Sequence, residues 1–157
     1  MTGTNSTTNL PTSFTPQYVR IPGGSFVMGD HFGFVDPEHP NDELPLHNVY
    51  ISPLYMSTTL VTMTEYCAFL NSVLARGLIE VRSNVVYAVG GTNVYFYTCG
   101  ASAYSFIQYT NGSFLVLNNR HLRPVTSVLW FGAIAYCNWL SQSNGFDSSS
   151  EHGSCGE

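Results

Sequence analysis

Two stretches of the chain repeat their apolar residues at a helical period. In TMTEYCAFLNSVLARG, Tyr66, Phe69 or Leu70, and Val73 recur at i, i+3/i+4 and i+7, which predicts one inward-facing stripe. Thr62 and Glu65 have capping-box spacing: the hydroxyl can accept the amide at the third helical position, while the carboxylate reaches back to the first amide. Arg76 and Gly77 supply a cation and a left-handed terminator. A second helix is predicted in SVLWFGAIAYCNWLSQSNG. Its expected stripe is Trp130, Ala133 or Ile134, Cys137 and Leu140, and Gly145 ends it.

Between and before these helices the pattern alternates instead. Residues 18–29, YVRIPGGSFVMG, alternate around Pro22-Gly23-Gly24, which predicts a hairpin of Tyr18–Ile21 with Ser25–Met28. Residues 30–46 form a loop containing three prolines. HNVYISPLYMS then places Val49 and Ile51 on one face of a strand region entering the core. Residues 79–119 hold short β-rich runs, VVYAVGG, VYFYTCG, YSFIQY and SFLVL, joined by turns around GGTN, CGAS and TNGS. The polar residues 1–16 are expected to be a flexible tail, and the Ser/Gly-rich residues 146–157 to fray. The order of strands, helix, strands, helix predicts an α+β domain that stops early, since the second helix has no later sheet to cover.

Composition narrows the function classes. With 157 residues and 44% apolar side chains, the chain holds material for one real core and is not a disordered polypeptide. Charged residues make up 10%, and five Lys+Arg stand against ten Asp+Glu. No basic run appears, so nucleic-acid binding is not expected. No apolar run approaches the roughly 20 residues that span a bilayer, and the N-terminus lacks the basic start and apolar core of a signal peptide, so no membrane partner is expected. Asn5-Ser6-Thr7 and Asn111-Gly112-Ser113 fit the glycosylation sequon, a short pattern that arises often by chance.

Candidate chemistry concentrates in DHFGFVDPEHPNDELPLH, residues 30–47, which hold five of the ten acidic residues and three of the five histidines. Asp36, Glu38, Asp42 and Glu43 could offer oxygens to calcium, but not at EF-hand spacing. His31, His39 and His47 stand eight apart, which suits neither a helical nor a short-loop zinc site. The alternative is a solvated loop with His47 half-buried, and Glu43, His47, Val49 and Ile51 on one strand face if the strand begins that early. The four cysteines, Cys67, Cys99, Cys137 and Cys155, make no CxxC pair. Cys67 and Cys137 read as buried small hydrophobes, and a disulfide would require export. His121 and Arg123 read as residues positioning the turn at Pro124, and Trp130 and Trp139 as core fillers. No GxSxG, HExxH, P-loop or GxGxxG occurs.

Three blocks in order carry a family resemblance: IPGGSFVMGD, DELPLHNVYISPLYMSTTLVTMTEYCAFLN and RPVTSVLWFGAIAYCNWLSQSNG. Together they resemble the first part of the formylglycine-generating enzyme (sulfatase-modifying factor) family over about residues 18–145. The resemblance makes residues 17–145 the N-terminal part of that domain, and makes ELPLH a structural strand entry preceded by a variable loop. It implies a partial fold akin to an elaborated C-type lectin with little regular secondary structure. In the family's oxidases a cysteine pair near the C-terminus binds copper and oxidises a substrate cysteine to formylglycine with O₂; another branch uses histidine-bound iron. The block that normally follows the second helix is absent here, as are the calcium loops and the cysteine pair. No catalytic, cofactor-binding or metal-binding residue carries over. Copper or iron, and calcium, are expected only in a full-length relative. Leu129 and Gly132 stand where the family usually has polar residues, so the second helix is expected to lose its cap. The expected function is therefore that of a formylglycine-generating-enzyme-like protein lacking the catalytic half, with a protein or peptide substrate if full length. A pseudoenzyme partner of a longer paralogue is a related reading. The alternative is a lectin-like module binding a glycan or protein without turnover. Nothing in these residues selects a compartment.

Overall fold

A computed structural model describes residues 18–33, 43–117 and 119–145. Contacts divide the chain into two units, Met1–Thr59 and Leu60–Glu157. The expected tails at 1–16 and 146–157 lie outside the described residues.

In the first unit, β1 (Tyr18–Ile21) pairs antiparallel with β4 (Leu54–Ser57), and β2 (Gly24–Met28) with β3 (His47–Ile51). The expected hairpin between the two halves of 18–29 is therefore not formed. Tyr18 faces Ser57, Ile21 faces Leu54, Gly24 faces Ile51 and Met28 faces His47, so one register runs unshifted through both pairs. The unit is a single long hairpin, interrupted where Pro22 meets Pro53. Neither proline has an amide to give a ladder, so the strands break there without turning back. Gly23 fits this crossing because a Cβ on it would lie 2.8 Å from Pro53 Cδ.

The second unit is built on α1 (Met63–Ala75). The predicted capping box is present: Glu65 N donates to Thr62 Oγ1 at 3.3 Å, and Thr62 N donates to Glu65 Oε2 at 2.7 Å. The other two free amides of the first turn are taken by a distant segment. Met63 N donates to Arg123 O at 2.9 Å and Thr64 N to His121 O at 3.2 Å. Tyr66, Phe69, Leu70 and Val73 are all buried, as their spacing predicts. Burying each is worth roughly 1.5–3 kcal/mol, against about 1 kcal/mol for the cap. Packing therefore holds the helix and the cap sets where it starts. Gly77, at φ +67°, turns the chain out just after Arg76.

β5 (Ile79–Arg82), β6 (Val85–Ala88) and β7 (Val94–Tyr97) form an antiparallel sheet in that order. β8 (Ile107–Thr110) and β9 (Ser113–Val116) form a hairpin closed by Asn111-Gly112, both at positive φ. Asn71 fastens this hairpin to α1. Its Nδ2 donates to Phe114 O at 2.9 Å, and its Oδ1 accepts from Phe114 N at 2.8 Å, so one side chain replaces a neighbouring strand.

α2 (Trp130–Ser143) differs from its expected orientation. Gly132 and Tyr136 are its buried residues, with Ala135, Trp139 and Leu140 partly buried. Trp130 is 74% exposed, and Ile134 and Cys137 also face outward. Trp130 is not a core filler and Cys137 is not a buried hydrophobe. The reason is steric. α2 crosses β7 so closely that a Cβ on Gly132 would lie 2.6 Å from Tyr66 Oη and closer still to the Tyr95 carbonyl. Only the glycine face fits. Tyr136 then stacks 5.6 Å from Tyr66, and Phe69 meets Tyr136 edge-on at 5.5 Å. Leu129 at the N-cap provides no side-chain bond, as expected from its apolar character.

Asn71→Ala is expected to cost about 1–3 kcal/mol, because it strands two part-buried backbone groups of Phe114. Thr62→Ala should cost about 1 kcal/mol. Urea midpoints with unchanged slopes would check both, and an unaffected Asn71 variant would refute the clamp. Gly132→Ala should destabilise by about 1–3 kcal/mol or more, since the Tyr95 backbone cannot yield as a side-chain tip can.

Candidate functional site

The three described cysteines lie on different elements. Cys67 sits on the buried side of α1, where burial pushes its thiol up to about 11. Its sulfur accepts from Asn71 Nδ2 at 3.7 Å. Cys137 lies on the outer side of α2, and partial cover of the sulfur raises its thiol also. Cys99 follows β7, and its amide donates to Ile107 O at 2.9 Å. All three are free thiols. Cys155 lies outside the described residues. Copper(I) selects thiolates. Thiols on separate elements, with those of Cys67 and Cys137 held up by burial, do not fit that ion. Among the described residues no group of three or more His, Cys, Asp or Glu is placed to hold a metal.

The described ends of the acidic stretch, residues 30–33 and 43–46, follow β2 and precede β3. Asp30 Oδ1 accepts the amides of Phe32 at 2.7 Å and Gly33 at 2.9 Å, a turn made by its own side chain. Asp30 N donates to Glu43 O at 3.1 Å and closes the neck of the loop. His31 Nε2 pairs with Val27 O, and His47 Nδ1 with Pro45 O, each at 2.9 Å. The ring nitrogens that these contacts use serve local turns. His47 is exposed where a half-buried position was expected, and Glu43 precedes the strand, so it shares no strand face with Val49 and Ile51. Asp36, Glu38, His39 and Asp42 lie outside the described residues.

His121 and Arg123 meet the start of α1 through their backbones, and the His121 ring adds a contact of Nδ1 with Thr64 Oγ1 at 3.4 Å. Their carbonyls cap α1, and Val125 N returns a bond to Val61 O at 2.9 Å. The expected turn-positioning role at Pro124 holds, but its target is the start of a helix nearly sixty residues earlier. The capping box and the Pro124 turn each signal part of this arrangement; their pairing has no local signal.

A cleft opens between the C-terminal halves of α1 and α2, with a volume of about 220 Å³. Phe69, Val73 and Trp139 form apolar walls, Tyr95 closes one side, and Arg76 and Asn138 bring polar ends. Trp139 Nε1 donates to Ser72 Oγ at 3.0 Å, which fixes the indole plane across the two helices. Sequence reading placed Trp139 in the core and gave no sign of the cleft, because its walls come from four elements, α1, β5, β7 and α2.

A family model for the sulfatase-modifying factor enzyme 1-like domain matches residues 5–149. The formylglycine-generating enzyme of Streptomyces coelicolor is 29% identical over 135 residues, covering 79% of this chain and 42% of that protein. The formylglycine-generating enzyme of Bos taurus is 28% identical over 148 residues, covering 84% of this chain and 36% of its own length. The chain thus spans about two-fifths of the length of these curated relatives. No solved structure gives a significant match.

The thiols make a direct test. Cys137 should react with a disulfide reagent in the native protein, and Cys67 only after unfolding. Cys67 is neutral when protonated and its folded value is raised, so the unfolded state releases the proton first. The Cys67 contribution to stability should therefore be full below pH 9 and be lost as pH rises from 9.0 towards about 11, on top of the alkaline losses from Cys137 and Tyr66. Cys67→Ala should make that part of the pH–stability curve shallower; an unchanged slope would assign it to the other raised groups.

Proposed function

Since the chain belongs to the sulfatase-modifying factor enzyme 1-like family, we propose that it builds the N-terminal scaffold of a formylglycine-generating-type oxidase. Oxidation of a substrate cysteine then depends on residues in the part of the relatives that this chain does not match. The observation that carries this reading is the dispersal of Cys67, Cys99 and Cys137 over separate elements within a chain that otherwise matches the family through residue 149. The scaffold consists of α1, the segment 121–125 that caps it, and α2 laid over β7. A C-type-lectin-like elaboration of the fold belongs to the same proposal, as does a peptide substrate.

A second reading is a lectin-like module that binds a ligand without turnover. Trp130 and Tyr104 favour it, as large aromatic side chains exposed on a surface poor in charge.

Incubating the chain with copper(I), O₂ and a cysteine-containing peptide should yield no aldehyde beyond a protein-free control, as read by hydrazide capture and mass spectrometry. Aldehyde formation that requires the chain would overturn the placement of the chemistry outside it. Saturable binding of a glycan, lost in Trp130→Ala with the fold intact, would favour the second reading.

A further inference from the structure

We propose that Asn111-Gly112, at the tip of the β8–β9 hairpin, is a site of spontaneous covalent modification, where asparagine rearranges through a cyclic imide to isoaspartate. This goes beyond the family activity and does not depend on it. The reaction consumes only water. Gly112 N attacks Asn111 Cγ, and the new N–C bond closes a succinimide. Asn111 Nδ2 leaves as ammonia, taking the proton that the Gly112 amide gives up. Water then opens either imide carbonyl. One opening gives aspartate; the other routes the backbone through Cγ and gives isoaspartate. Glycine in the second place leaves the attacking amide uncrowded by a side chain.

The chain has two Asn-Gly pairs, at 111–112 and 144–145, and the structure treats them oppositely. At the end of α2 both reacting groups are engaged. Asn144 Nδ2 donates to Leu140 O at 2.8 Å, and Gly145 N donates to Gln142 O at 3.1 Å. At the hairpin tip both are free. Among the described residues, neither the Asn111 side chain nor Gly112 N makes a hydrogen bond. Residues 111–113 are exposed, and a Cβ on Gly112 would meet nothing within 4 Å. The Asn111 side chain therefore has open space in which to swing over the amide. Ring closure requires the turn, with Asn111 at φ +48° and Gly112 at φ +76°, to open locally. β8 and β9 pair only with each other among the described residues, so no third strand resists that opening.

The product bears on the fold. Isoaspartate inserts an extra backbone carbon between residues 111 and 112 and adds a carboxylate. A two-residue turn has no slack for the longer link, because its length sets the register of the strands it joins. Thr110 faces Ser113 across that turn, and the next residue is the buried Phe114. Phe114 is the residue that Asn71 clamps to α1 through both of its backbone groups. A covalent change in an exposed turn thus reaches the junction of hairpin and helix.

The test uses the full chain made in a bacterial cytosol, where the sequon at Asn111 carries no sugar. It is aged in mildly alkaline buffer, folded and, in parallel, unfolded in urea. Peptide mapping by mass spectrometry follows each asparagine, and labelling by an isoaspartyl carboxyl methyltransferase identifies the isoaspartyl product. In the folded chain Asn111 should convert at least about tenfold faster than Asn144, which must first break two hydrogen bonds. In urea that gap should shrink sharply. Equal rates in the folded chain would overturn the proposal, as would an Asn111 that converts only in urea or a product without isoaspartate. The converted chain should also unfold at a lower temperature than freshly purified Asn111→Asp, which has the same charge on an unaltered backbone. Equal midpoints would overturn the link to the Phe114 clamp.

Discussion

The close approach of α2 to β7 at Gly132 is the constraint on which the second unit depends. With no side chain at 132, the helix can lie against the Tyr95 backbone and the Tyr66 hydroxyl. Leu129 N then reaches Tyr95 O at 3.1 Å, and Phe96 bridges to Val128. That approach brings Tyr136 and Trp139 onto Tyr66 and Phe69, forming one aromatic cluster with centroid spacings of 5.2–5.8 Å. The cluster in turn fixes the distance between α1 and α2, and hence the width of the cleft beside it. The arrangement has one evident cost. Tyr66 Oη is buried without a hydrogen-bond partner among the described residues, and burial holds its phenol well above the ordinary value.

The first helix was legible in the sequence and the orientation of the second was not. α1 combines a capping box with one apolar stripe, so both signals name the same residues. α2 has no charged residue between Trp130 and Ser143. An apolar period then fits several faces equally, and the face that is buried was decided by the size of residue 132. The hairpin error has a similar origin. Pro22-Gly23-Gly24 has turn chemistry, yet Pro53 stands opposite in an unbroken register, so the same residues interrupt a long ladder. A turn signal states that pairing stops; it does not state that the chain reverses.

Family membership was legible because it rests on blocks of residues in order, each anchored to an element. The match over residues 5–149 agrees with that reading. Residues 30–33 and 43–46, the described ends of the acidic stretch, are irregular up to the start of β3, and His47 proved exposed. The cleft has no local signal because Phe69 and Trp139 each read as core residues when taken singly. Only the separation of two helix ends reveals that their packing leaves room.

Sheets this narrow consist largely of edges. In the long hairpin, neither β2 nor β3 has a second strand neighbour among the described residues, and GSFVM and HNVYI contain no Pro, Lys, Asp or Glu to discourage one. Phe26, Val27, Met28, Tyr50 and Ile51 stand exposed along this ribbon. Any extended segment of similar alternation meets a ready template for strand addition there. Edges left open in this way are where self-association of the chain would begin, since neither strand carries a charge to oppose it.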